Sequence, residues 1–285
     1  MPVVDDVSPK NPQPLSVPRL VPRTPIAAPE SDLVHGIRIA VTDYERALRC
    51  IDEAVAADER GYVCVANVHT VMAAQEDAEL RAALESSTFN VPDGMPLVWA
   101  LNLLGHSLPD RVYGPELMAR ACARAAESGQ RFYLYGGRNQ GALVQLALNL
   151  RTRYPGIRIV GGYSPPHRPL TPEEEEQVTR EINATDADVV WVGIGVPKQE
   201  KWMAAMRERL SAPVLIGVGA AFDFHAGLVP QAPPVLQNAG LEWAYRLAQE
   251  PRRLWRRYLR YNPRFVLALA RQVVAHRLDR AGALR

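Results

Sequence analysis

From residue 33 onward, short runs of β-branched and aromatic residues alternate with stretches whose apolar positions recur every three to four residues. That order is the sequence form of a parallel sheet wrapped by helices, an α/β fold. The apolar runs predict strands over residues 35–41, 62–66, 131–135, 157–160, 188–192 and 214–218. Helical periodicity covers residues 44–57, 95–104, 116–127, 141–154, 172–184 and 199–210. Thr171-Pro172-Glu173-Glu174 is a strong helix start, with Thr as N-cap, Pro in the first turn and acids facing the helix N-terminus. Residues 1–32 hold eight of the 24 prolines and no periodic apolar pattern, so they are expected to form a disordered leader. They lack the apolar stretch of a secretory signal.

In an open parallel sheet, ligands bind at the carboxyl ends of the strands, so the residues just after each apolar run are where chemistry is sought. Asn67 and His69 follow the second run, Gly136 and Gly137 the third, and Gly161-Gly162-Tyr163 the fourth. The fifth is followed by Gly193-Ile-Gly195-Val-Pro197-Lys198-Gln199-Glu200, and Gly217-Val-Gly219 closes the sixth. Glycine at several strand ends suits close approach of backbone to a phosphate or nucleotide, although each glycine alone also serves a strand-to-helix turn. No GxGxxG opens a first βαβ unit and no GxxxxGK[ST] occurs, which argues against a nicotinamide-dependent oxidoreductase and a P-loop enzyme.

Charge is segregated along the chain. The stretch from Arg246 to Arg285 carries eleven Arg against Glu250 and Asp279, a net +9, which leaves −7 on the remainder behind a total of +2. Arg interleaved with Trp255, Tyr258, Leu254 and Leu259 suits planar recognition of phosphate oxygens at an apolar boundary, such as a lipid diphosphate or an anionic membrane surface. The alternatives are a solvated helix face and a nucleic-acid-binding tail, and the acidic body argues against nucleic acid as a partner. Three cysteines without CxxC or Cys/His spacing fit a reducing compartment, and His69, His167 and His225 show no ligand spacing for a metal. No apolar run reaches the roughly 18–20 residues that span a bilayer, so membrane contact is expected to be peripheral.

Several segments together carry a resemblance. They are Val65-Ala-Asn67, Pro92-Asp93-Gly94-Met-Pro96, Arg111-Val-Tyr-Gly114-Pro-Glu-Leu117, Tyr135-Gly136-Gly137, Gly195-Val-Pro197-Lys198-Gln199-Glu200-Lys-Trp202, Gly217-Val-Gly-Ala-Ala-Phe222-Asp223, and Gly240-Leu-Glu242-Trp243 through Arg257-Tyr258. In that order, over roughly residues 33–262, the chain resembles the WecG/TagA/CpsF glycosyltransferases, family 26. The resemblance implies a Rossmann-like core over residues 33–240 and a basic helical appendage over residues 241–285 that serves as active-site lid and membrane contact. It further implies transfer of a sugar from a UDP donor to a polyprenyl-diphosphate-linked sugar, with inversion, no metal and no other cofactor, at the cytoplasmic membrane face. Homo-oligomers occur in such proteins.

The resemblance assigns roles residue by residue. Asp93 becomes the general base, for which an ionised carboxylate is chemically apt. On its residues alone, Pro-Asp-Gly before an apolar helix reads equally as a turn and helix N-cap. Arg111 would offset charge on the leaving UDP, and Asn67, Gly136, Gly137, Gln199 and Asp223 would bind the donor. Arg246, Arg253 and Arg256 would meet a diphosphate or the membrane. Val65 stands where many members carry threonine, which leaves the sugar among N-acetylmannosamine, its uronic acid and another hexose.

Overall fold

Regular structure begins with a hairpin, not with a strand of the main sheet. In the computed structural model, which describes residues 28–238 and 240–282, β1 (Ser31–Val34) and β2 (Ile37–Ala40) pair antiparallel. His35 and Gly36 between them both have positive φ, 51° and 78°, the twist that a two-residue hairpin turn requires. The expected strand over residues 35–41 therefore opens on the turn and shortens to β2, and β1, which was not expected, starts inside the expected leader. Residues 1–27 lie outside the described residues.

The chain then runs α1 (Tyr44–Ala56), β3 (Gly61–Ala66), α2 (Val68–Ala73), α3 (Ala78–Glu85), β4 (Phe89–Pro92), α4 (Met95–Leu103), α5 (Gly114–Ser128) and β5 (Arg131–Gly136). There follow α6 (Gln140–Arg153), β6 (Arg158–Tyr163), α7 (Pro172–Asn183), β7 (Val189–Gly193), α8 (Lys198–Met206) and β8 (Val214–Gly217). The last segments are α9 (Ala221–His225), α10 (Pro234–Asn238), α11 (Glu242–Gln249) and α12 (Pro251–Gly282). Strands β3 to β8 form one parallel sheet in the order β4-β3-β8-β7-β5-β6, a Rossmann-like α/β core. Its central strands are apolar on both faces because helices cover both, and all six residues of β3 are buried. One core layer gathers Leu48, Leu117, Met118, Leu146 and Trp191; the other gathers Tyr62, Leu80, Leu101, Val178 and Met203.

Strand β4 escapes the sequence pattern because it has four residues, ends in Pro92 and carries a polar Asn90 in its middle. The fold accommodates Asn90 by burying it as a donor to the carbonyls of Arg38 (2.9 Å) and Leu84 (3.0 Å). β4 matters because it delivers Asp93 to the carboxyl edge of the sheet.

The basic C-terminal segment is docked on this core. Phe265 on α12 is buried with its ring edge-on to His35 at 5.0 Å, and Leu254 is buried as well. Arg260 and Arg264 both pair with Glu76 (2.7 and 2.6 Å), which also accepts from the Tyr261 hydroxyl. Gln272 donates to the Leu33 carbonyl and accepts from the His35 N–H. Burial of a Phe or Leu side chain stabilises by about 1.5–3 kcal/mol, whereas exposed ion pairs add little, so Phe265 and Leu254 are the chief anchors. Trp243, Trp255, Leu259, Val266, Leu267, Val274 and Leu278 stay exposed on α11 and α12. Among the described residues no helix is long and apolar enough to cross a membrane.

Candidate active site

Three of the residues singled out in the sequence converge on one point of the sheet edge. Asn67 follows β3 and caps α2, its side-chain oxygen accepting from the Thr70 N–H at 3.2 Å. That bond fixes the amide so that its nitrogen points at Asp93 Oδ2, 3.4 Å away. Asp93 follows β4, which pairs with β3, and its other oxygen accepts from the Gly114 N–H at 2.9 Å. Arg111 donates to the Asp93 carbonyl (3.4 Å), to Gln237 Oε1 (3.3 Å) and to Glu242 Oε2 (2.7 Å), with its guanidinium 4.2 Å from the Tyr113 ring centroid. Asp93 does not cap α4 with its side chain: Gly94 is the N-cap residue and no side-chain cap bond is made there. Its carboxylate turns instead toward α5 and accepts from the first N–H of that helix, at Gly114.

The electrostatics follow from burial. Loss of water pushes the Asp93 carboxyl up from 3.8 to about 6. Arg111 draws it down and Glu242 pushes it up, while the bonds from Gly114 and Asn67 favour the charged form. Burial also works against the Arg111 cation, but Asp93 and Glu242 more than offset it and hold its proton more tightly than usual. Arg111 and Glu242 are each 8% exposed.

Gln199 lies at a second point of the same edge. It is buried at the start of α8, accepting from the Gly195 N–H (3.2 Å) and donating to Glu200 Oε1 (3.0 Å). Glycine at 217 leaves room for it, since a Cβ there would stand 3.1 Å from Gln199 Nε2. Val218, between Gly217 and Gly219, turns its carbonyl toward Gly114, so the end of β8 joins the Gln199 and Asp93 groups. Val65 faces the same spot, its Cγ1 3.2 Å from the Cβ position of Gly114. Glu200 is fully buried, its Oε2 has no hydrogen-bond partner, and burial pushes its carboxyl up to about 7.

The remaining positions are spread along the edge. Gly136 (φ 132°) packs against the backbone of Gly193, which a Cβ would meet at 2.6 Å, and Gly137 (φ 90°) donates to the Gly193 carbonyl at 3.1 Å. Close strand approach thus accounts for Gly136 without a ligand. Asp223 pairs with Arg138 (3.0 Å), and Arg246 stands over the Phe224 ring at 5.7 Å. Arg256 is exposed beside Trp255, and the Arg253 side chain lies outside the described residues. His69 is half-buried against Tyr261, and burial, then Arg257, lowers it to about 4; His225 is held by the Pro115 carbonyl.

Sequence reasoning missed three features. Glu242 lies 131 residues from Arg111, and only the quoted Gly-Leu-Glu-Trp motif could have flagged it. Gln237 had no signal. The expectation that the chain has no Asp-x-Asp, the pair with which many enzymes hold a divalent ion on a diphosphate, is corrected by Asp186-Ala-Asp188. This pair sits before β7, at the amino end of the strand, where Asp188 and Asp186 pair with Arg131 at 2.8 and 3.8 Å. It is on the edge opposite Asp93.

A polar cleft of about 250 Å³ lined by Tyr44, Arg111, Tyr113, Arg120 and Gln237 adjoins the Asp93 group. A slightly larger one of about 310 Å³ lies between α6 and α9 at Asn149, Arg153 and His225, away from Asp93, and carries none of the convergent groups. Residues 33–279, which span the core and nearly all of α12, match the family model described as Glycosyl transferase WecG/TagA/CpsF family.

Proposed function

The chain belongs to the WecG/TagA/CpsF family of glycosyltransferases, and from that premise we propose that it moves a sugar from a UDP donor to a polyprenyl-diphosphate-linked sugar in the assembly of cell-surface polysaccharide or glycolipid. The donor sugar is N-acetylmannosamine, its uronic acid or another hexose. Transfer inverts the anomeric centre in one displacement and needs no metal or other cofactor. The observation that carries this reading is the Asp93 carboxylate, held at the sheet edge by Gly114 and Asn67 yet making no side-chain cap to the helix that follows it.

In the displacement, the acceptor hydroxyl oxygen bonds to the anomeric carbon as the bond from that carbon to the UDP oxygen breaks. The hydroxyl proton passes to Asp93 and the electron pair leaves with UDP. A carboxyl lifted to about 6 is mostly ionised at neutral pH and is a stronger base than an ordinary aspartate. The N-terminus of α6, where the helix dipole favours anions, receives the nucleotide diphosphate beside Gly136 and Gly137, which shape the strand end there and present no side chains to the ligand. Asn67, Gln199 and Asp223 orient the donor sugar, and Arg111 offsets charge on the leaving group. Buried Val65 offers the sugar an apolar contact where threonine would offer a hydroxyl.

The appendage sets the location. Exposed Trp243, Trp255 and Leu259 beside exposed Arg252 and Arg256 suit the headgroup region of an anionic leaflet, to which each Arg contributes roughly 1 kcal/mol. We place the protein at the cytoplasmic face, held reversibly, with Arg246, Arg253 and Arg256 near the acceptor diphosphate. The test is a panel of UDP-sugars incubated with purified protein, with and without a lipid-diphosphate sugar acceptor. One donor should be consumed with formation of a lipid-linked product. Failure of every UDP-sugar to bind or react would overturn the reading.

A further inference from the structure

The Arg111–Glu242 pair is the point where appendage and core meet inside the site. Its side chains are only 9% and 10% exposed, and the charges are 2.7 Å apart. Burial of an ion pair is costly unless geometry and further hydrogen bonds compensate. Arg111 has such compensation on several sides: Glu242, Gln237, the Tyr113 ring face and the Asp93 carbonyl. A lone cation at this place would hold Asp93 in its charged form too well and weaken it as a base. Glu242 supplies the opposing charge, and it comes from the first turn of α11.

We propose that Glu242 is a positioning residue of the active site, supplied by the appendage, which fixes the Arg111 guanidinium beside Asp93 and partly offsets its charge there, so that Asp93 stays a competent base while Arg111 keeps net positive charge for the leaving group. The inference rests on the reading of Asp93 as the general base. The groups that face Asp93 are Asn67 at the head of α2, Tyr44 on α1, Arg111, Tyr113 and Gly114 leading into α5, and Glu242 on α11. Of these, Arg111 and Glu242 carry the opposed charges. Docking of the appendage is thereby coupled to the chemistry without Glu242 touching substrate.

The variant that tests this is Glu242→Gln, which keeps the volume and an acceptor oxygen for Arg111 but removes the charge. The Asp93 carboxyl is titrated by carbon NMR in the full chain, its signal assigned by its loss in Asp93→Asn. Its midpoint should fall by about one pH unit in Glu242→Gln, the size that a close unbalanced cation produces. The acid limb of the kcat/KM profile for transfer should move down with it. A purely structural Glu242 would lower activity and leave the midpoint in place, and an unmoved or raised midpoint in the folded variant overturns the proposal. Should the amide not fold, Glu242→Met is read by the same titration. Because the titration needs no substrate, it decides the proposal even when no UDP-sugar is turned over, a result that would count only against the transferase reading.

Discussion

Replacing Asp93 by asparagine removes a base and a partly desolvated charge together, so stability and activity should move in opposite directions. Burial raises the carboxyl from 3.8 to about 6, so between these values the folded chain binds a proton that the unfolded chain has released. The resulting stabilisation is complete below the unfolded value and is lost as pH rises through the folded one. A shift of about two units corresponds to at most about 3 kcal/mol, and partial solvent contact of the side chain reduces this to about 1–2 kcal/mol. The amide keeps an oxygen for the Gly114 N–H, while its nitrogen would face Asn67 Nδ2 in place of the 3.4 Å bond, a loss of about 1 kcal/mol or less. Relative to wild type, Asp93→Asn should therefore gain about 1–2 kcal/mol between pH 4.5 and pH 8. Urea unfolding of both proteins across that range, followed by tryptophan fluorescence, measures the difference. A difference that stays flat, or that turns against the variant as pH rises, refutes the assignment of a desolvated carboxyl at this position.

Further outcomes test other parts of the account. Gly136→Ala should destabilise by several kcal/mol or prevent folding, because its φ of 132° and a Cβ 2.6 Å from Gly193 backbone leave no room; the unfolding midpoint checks this. Removal of the chain from Leu241 onward should leave a folded core that neither sediments with anionic liposomes nor transfers sugar. That core should be less stable than the full chain, since Arg111 loses Glu242 and the surface under Phe265 is uncovered, and full transfer by it would reduce the appendage to a solvated helix. Transfer should survive EDTA, and loss of activity restored by Mn²⁺ or Mg²⁺ would contradict this.

The sequence made the helices legible where caps and amphipathic period agreed. The Thr171 cap forms as a full capping box with Glu174, and the expected helix over residues 172–184 is α7 within one residue. β3, β5, β7 and β8 were legible because strands covered on both faces read as continuous apolar runs. The β1–β2 hairpin and β4 were not, since a two-residue turn and a four-residue strand with a buried Asn90 leave no period to count. For the site, topology alone could place Asn67 on the carboxyl edge, whereas Asp93 and Arg111 were named only by the family resemblance; the three do meet there. Their convergence with Glu242 could not be read, because nothing local in Gly-Leu-Glu-Trp says that its carboxylate turns inward to a guanidinium 131 residues away. Gly136 and Asp223 illustrate the reverse: both sit on the expected edge, yet Gly136 is explained by strand approach and Asp223 is paired with Arg138.

The central claim is that Asp93 takes the acceptor proton, and the most direct measurement is transfer of labelled sugar from its UDP donor to a polyprenyl-diphosphate-linked sugar in anionic vesicles, by the full chain and by Asp93→Asn. The account predicts that the variant binds UDP with nearly unchanged affinity and transfers about 10²- to 10⁴-fold more slowly, the usual worth of a positioned base. Transfer by Asp93→Asn at the wild-type rate would contradict it and return Asp93 to a structural turn.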